Sequence, residues 1–68
     1  MNESKVRGLG RQLGLSIVGM SYEIKVNPTV LGMTERRQLA PSKQARKAMA
    51  AFFKVPETQL FDGDGLAL

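Results

Sequence analysis

The chain contains no cysteine and no histidine in its 68 residues. Disulfides are excluded, and a structural zinc site would lack its usual thiolate and imidazole ligands. Aromatic residues make up only 6%, too few for a platform on which bases could stack. No long apolar run is present. Met1 to Arg11 in particular lacks the one that secretion or membrane insertion requires, so the expectation is a cytoplasmic protein without a membrane partner. No period-2 alternation of any length occurs, so no sheet is predicted. Repeats and low-complexity segments are missing too.

The same absences bear on chemistry. The acids are scattered, and Gly8 and Gly10 fall inside a helical pattern with no strand before them, which is not a nucleotide fingerprint. Asp62-Gly63-Asp64-Gly65 carries too few ligands, wrongly spaced, for a calcium loop. The expectation is a protein that is not an enzyme and has no cofactor, metal or small-molecule substrate.

What is present is a small basic chain with formal charge +4. Arg36, Arg37, Lys43, Arg46, Lys47 and Lys54 follow one another with no acid between them, while the tail carries Asp62 and Asp64. A patch of one sign attracts polyanions, and nucleic acid is the commonest. A solvated face that keeps the protein soluble is the competing reading, and charge alone leaves both open. A chain this short is marginally stable by itself, so helix packing and association must supply its stability.

Cap and turn residues divide the chain into five short helices, over about 4–13, 17–25, 28–36, 42–53 and 57–61. Val6, Leu9 and Leu13 make one face of the first, with Ser4 or Asn2 as its cap and Gly14 closing it. Gly8 and Gly10 each cost about 1 kcal/mol there, so this helix should be the weakest. Ser16 caps the second, whose face is Ile17, Met20, Ser21 and Ile24. Asn27-Pro28 opens the third, with Leu31 and Thr34 inward and Thr29, Gly32, Met33 and Arg36 outward. Ser42 caps the fourth, where Ala45, Ala48, Met49, Phe52 and Phe53 form a wide apolar stripe. Val55-Pro56-Glu57 opens the fifth, with Leu60 and Phe61 turned in. Residues 1–61 form the domain, and 62–68 read as a flexible tail. The connection around Lys25-Val26-Asn27 suits a steep turn rather than an antiparallel hairpin.

These residues resemble the phage repressor and Cro class of helix-turn-helix domains, the XRE type. Gly14-Leu15-Ser16 followed by Met20-Ser21 is similar to that family's Gly-Leu-Ser, three spacers, then Leu-Ala. Ile24 and Val26 flank the turn, Asn27 matches the polar cap of the recognition helix, and Leu31 its buried position. Glu35 matches the acid near that helix's end, and Pro41-Ser42 the start of helix four. Ala50, Phe53, Val55, Leu60 and Phe61 fit the ending. The resemblance spans about Val6 to Phe61 and implies a lambda-repressor-like, all-α bundle. Four positions depart from it. Gly10 stands where the family has the Arg that pairs with the acid, so Glu35 must reach Arg7 or Arg11 or stay wet. Ile17 replaces a phosphate-binding Gln, Lys25 the turn Gly, and Arg37 the Gly two residues after the acid.

The resemblance implies a sequence-specific regulator whose third helix enters the major groove of double-stranded DNA. Its base readers would be Asn27, Thr29, Val30, Met33 and Arg36, with Arg36 alone able to make a bidentate pair to guanine. Phosphate contacts would come from Arg37, Lys43, Arg46, Lys47 and Lys25, with Arg11 a further choice. Binding would be as a homodimer, for which Val55, Pro56, Leu60, Phe61 and 66–68 are apolar candidates. Each assignment has a plainer rival: Arg36 and Arg37 as complements to a helix dipole, Met33 as core, Thr29 as decoration. A second function stays open, a protein-interaction module on a degenerate helix-turn-helix scaffold. Ile17, Val18 and Met33 place apolar groups where DNA-binding relatives carry polar ones, and an exposed apolar patch marks a partner.

Overall fold

Four of the five helices start on a side-chain oxygen. In the computed structural model, which describes residues 3–68, Ser4 Oγ accepts from the Arg7 N–H (3.2 Å) and Ser16 Oγ from the Gly19 N–H (3.0 Å). Asn27 Oδ1 accepts from the Thr29 N–H (2.8 Å) and Ser42 Oγ from the Ala45 N–H (3.1 Å). Each cap satisfies one of the four donors that a helix start leaves unpaired and contributes about 1 kcal/mol. The helices are α1 (Lys5–Gln12), α2 (Ile17–Ile24), α3 (Pro28–Glu35), α4 (Lys43–Phe53) and α5 (Glu57–Leu60). Each boundary lies within one residue of its sequence-based position. Asn2, the alternative cap for α1, lies outside the described residues.

The ends of these helices are less ordinary. Gly14, after α1, takes the left-handed region at φ 72°, as glycine does freely. The corresponding corners after α2, α3 and α4 fall to Lys25 (φ 65°), Arg37 (φ 61°) and Lys54 (φ 59°). A side chain there costs roughly 1–2 kcal/mol. Lys25, which stands where the resembled family has the turn Gly, is thus strained, and the strain recurs twice.

The core draws on every helix: Val6, Met20, Ile24, Leu31, Met49, Ala50, Leu60, Phe61 and Ala67. Buried hydroxyls are satisfied locally: Ser21 Oγ donates to the Val18 carbonyl and Thr34 Oγ1 to the Val30 carbonyl, each at 2.8 Å. Met20 lies directly over Gly10, where a Cβ would collide with its sulfur. Among the described residues there is no strand, and one isolated antiparallel bridge joins Phe61 to Ala67. The fold is all-α, a five-helix bundle.

The segment 62–68 is not the flexible tail expected. Asp62 Oδ1 accepts from the N–H groups of Asp64 (2.8 Å) and Leu66 (3.0 Å), which reverses the chain. Ala67 is then buried at 3% exposure. The Leu68 N–H donates to the Leu60 carbonyl (2.9 Å), and the Lys5 N–H donates to the Leu68 carbonyl. The Asp-Gly pairs mark a tight Asx turn, and the apolar residues after it complete the core.

Candidate nucleic-acid interface

The start of α3 is set by two residues. Asn27 accepts from the first turn, and Pro28 occupies the first helical position, where its missing N–H is no loss. This leaves Leu31, Thr34 and Glu35 inward and Thr29 and Arg36 exposed, with Met33 half-buried. Gly32 departs from its expected outward place and is buried. The Arg36 guanidinium folds across it, Nη1 lying 3.3 Å from where a Cβ would stand, with Ile17 Cδ1 at 3.8 Å. Arg36 Nε also donates to Gln38 Oε1 (3.1 Å). Thr29, Met33 and Arg36 therefore share one surface, flanked by half-buried Ile17 from α2.

Val30 is displaced from that surface. It is half-buried in a groove shared with Lys25, Val26, Ser42, Ala45 and Ala48, between the α2–α3 turn and α4. Lys25 is exposed at one end of this groove, and Lys43 and Lys47 are exposed on α4.

Two expected phosphate contacts are committed elsewhere. Arg46 is half-buried; its Nη1 donates to the Pro41 carbonyl (2.7 Å), its Nε lies 3.9 Å from Glu57 Oε1, and it packs against Gly65. Arg37 Nε donates to the Ala67 carbonyl (3.0 Å). Both hold the tail and loop together, because unpaired carbonyls of irregular backbone take guanidinium donors readily. Leu60 and Phe61, apolar candidates for a dimer surface, are spent in the core.

Glu35 follows neither anticipated course. It is 5% exposed, and its Oε2 has no hydrogen-bond partner. Arg11 and Arg7 are drawn instead to Glu3, at 2.9 and 3.9 Å. Burial pushes the Glu35 carboxyl above its ordinary 4.5; the Arg7 and then the Arg36 guanidinium groups pull it back, and Glu3 adds a smaller upward push. Glu35 lines a cavity of about 310 Å³ with Arg7, Arg11, Ser16, Ile17 and Met20, and a neighbouring cleft that also reaches Arg36 and Arg37.

Sequence reasoning named Val18 as a partner candidate but passed over Tyr22 beside it and the ion pairs of Glu3. Tyr22 and Val18 are the most exposed large apolar residues, at 83% and 68%, one turn apart on α2. The triad Glu3, Arg7 and Arg11, spaced four residues apart, is the readable signal for the ion pairs that leave Glu35 alone. No family model, characterised protein or solved structure matches this chain. Among the described residues no group of three or more His, Cys, Asp or Glu could hold a metal ion, and no helix is long and apolar enough to cross a membrane.

Proposed function

We propose that the chain is a sequence-specific DNA-binding transcriptional regulator of the repressor and Cro kind, with α3 as its recognition helix. The observation that carries the reading is the α2–α3 pair: a tight turn through Lys25, a capped α3 start at Asn27, and an outer face of Thr29, Met33 and Arg36. Arg36 supplies the hydrogen-bonding readout, and Thr29 and Met33 suit apolar contact with thymine methyls. Lys25, Lys43 and Lys47 hold phosphates and carry no sequence information. The set of readers is thin, so the sequence-dependent shape of the duplex contributes specificity. Val30 lines the groove beside α4 instead, and Arg37 and Arg46 brace the fold.

A second reading has its own observation. Val18 and Tyr22 form an exposed apolar pair on α2, which with half-buried Ile17 and Met33 offers apolar side chains such as a protein-interaction module would present.

Binding to random and to selected duplex DNA across a salt series tests both. Each phosphate contact should lower log affinity with log salt at a slope of about −0.9. Arg36→Ala should weaken the selected site by about 1–3 kcal/mol and relax its specificity. Lys43→Ala and Lys47→Ala should weaken all sequences alike and flatten the salt slope. A shallow slope with no enriched sequence, together with an effect of Tyr22→Ala on capture of a protein partner, would favour the second reading.

A further inference from the structure

Among the described residues, Glu35 Oε2 is the only buried side-chain nitrogen or oxygen atom without a hydrogen-bond partner. It stands beside a cleft lined by four arginines. Arg7 and Arg11 of α1, Arg36 at the end of α3 and Arg37 beyond it all line the cleft that holds Glu35 and Glu3. No titratable residue of α2 lines it or the adjoining cavity, to which α2 contributes Ile17 and Met20. Glu3 occupies Arg11 and Arg7 from the solvent side. The buried carboxylate is thus left as a negative charge facing the floor of a cationic cleft, with Arg36 shared between that cleft and the outer face of α3.

A polyanion arriving at Arg36 and the mouth of this cleft meets two opposed effects. The guanidinium groups attract it, and the Glu35 carboxylate repels it through a medium that screens poorly. Protonation of Glu35 removes the repulsion. Reciprocity then requires that the bound anion favour the proton, since the same coupling free energy acts in both directions.

From this geometry we infer that Glu35 is a proton-linked counter-charge, so that polyanion binding takes up a proton there and strengthens as pH falls. The inference rests on the DNA-binding reading for its natural ligand, but its chemistry applies to any phosphate-bearing anion in the cleft. Desolvation agrees with it, holding the carboxyl above its ordinary range. The sequence makes the effect readable: with no histidine, no side chain has an ordinary pKa between 5 and 8.

The test measures affinity for a fixed duplex, and separately for pyrophosphate, from pH 5 to 8 at constant ionic strength. Wild type, Glu35→Gln and the distant control Asp64→Asn are compared. Wild type and the control should lose duplex affinity as pH rises, by at most about tenfold per pH unit, the limit for one linked proton. Glu35→Gln should be flat with the duplex; with pyrophosphate, which itself gains negative charge as pH rises, the ratio of Glu35→Gln to wild-type affinity should rise with pH, and at pH 8 the variant should bind either anion more tightly than wild type. Carbon-13 NMR of the Glu35 carboxyl should show its midpoint rising when pyrophosphate is added. An unchanged slope in Glu35→Gln overturns the inference while leaving DNA binding intact. A Glu35-dependent slope with pyrophosphate but no duplex binding upholds it and removes the DNA reading. Failure to bind either anion at any pH overturns both.

Discussion

Lys25, Arg37 and Lys54 each hold a backbone conformation that glycine would take without strain. At Lys25 the side chain is exposed, so nothing is lost from the core on its removal. Lys25→Gly should stabilise the fold by about 1 kcal/mol, seen as a higher urea midpoint with an unchanged m-value. It should also weaken binding to random duplex, if the residue is kept for its charge. Glu35 makes the complementary case. Its pKa is raised in the folded state, so the folded protein binds more protons than the unfolded chain between 4.5 and the raised value. Stability should therefore fall as pH rises through that window. Glu35→Gln should melt higher than wild type at pH 7.5, with the difference shrinking toward zero below about pH 4.5, as thermal scans at the two pH values would show.

The helices were legible because their signals are local. Ser4, Ser16, Asn27 and Ser42 cap the next turn, and the apolar spacing of Val6, Met20, Ile24, Leu31 and Met49 points into one core. The C-terminal segment was not legible, because Asp62-Gly63-Asp64-Gly65 reads the same for a loose end and for an Asx turn. Only the three-dimensional placement of Ala67 against Phe61 decides between them. Arg37 and Arg46 escaped for a related reason: their acceptors are backbone carbonyls of Ala67 and Pro41, and carbonyls leave no mark in a sequence. Gly32 escaped because its cover is Arg36 and Ile17 rather than its own helix. At this scale, Ala67→Asn should destabilise the protein by about 2 kcal/mol, by burying an amide without partners. Equilibrium denaturation would measure it, and a change within about 0.5 kcal/mol, the range of ordinary surface substitutions, would place the segment outside the cooperative fold.

The Cα trace extends 27 × 27 × 22 Å. One copy therefore covers no more than about a single turn of DNA, about 34 Å, too little for tight specific binding alone. A regulator of this size should occupy two half-sites centred about one turn apart, which footprinting on a selected site would reveal. The apolar surface left for self-association is narrower than the sequence implied. Leu60, Phe61 and Ala67 are buried, Pro56 and Leu68 stay exposed, and Val55 is half-covered. Dimerisation in free solution should be weak and should strengthen on the duplex, as sedimentation with and without DNA would report.

The Leu68 carbonyl accepts from the Lys5 N–H, one of the donors that the start of α1 would otherwise leave to water. The two extremes of the folded chain are thus fastened to each other, and α1 is the helix that carries Gly8 and Gly10. Release of the last residues would free the Lys5 N–H, with the Ser4 cap still in place, as Ala67 leaves the core. Amide exchange should register this as a single opening, with the Lys5 and Leu68 protons sharing one opening free energy.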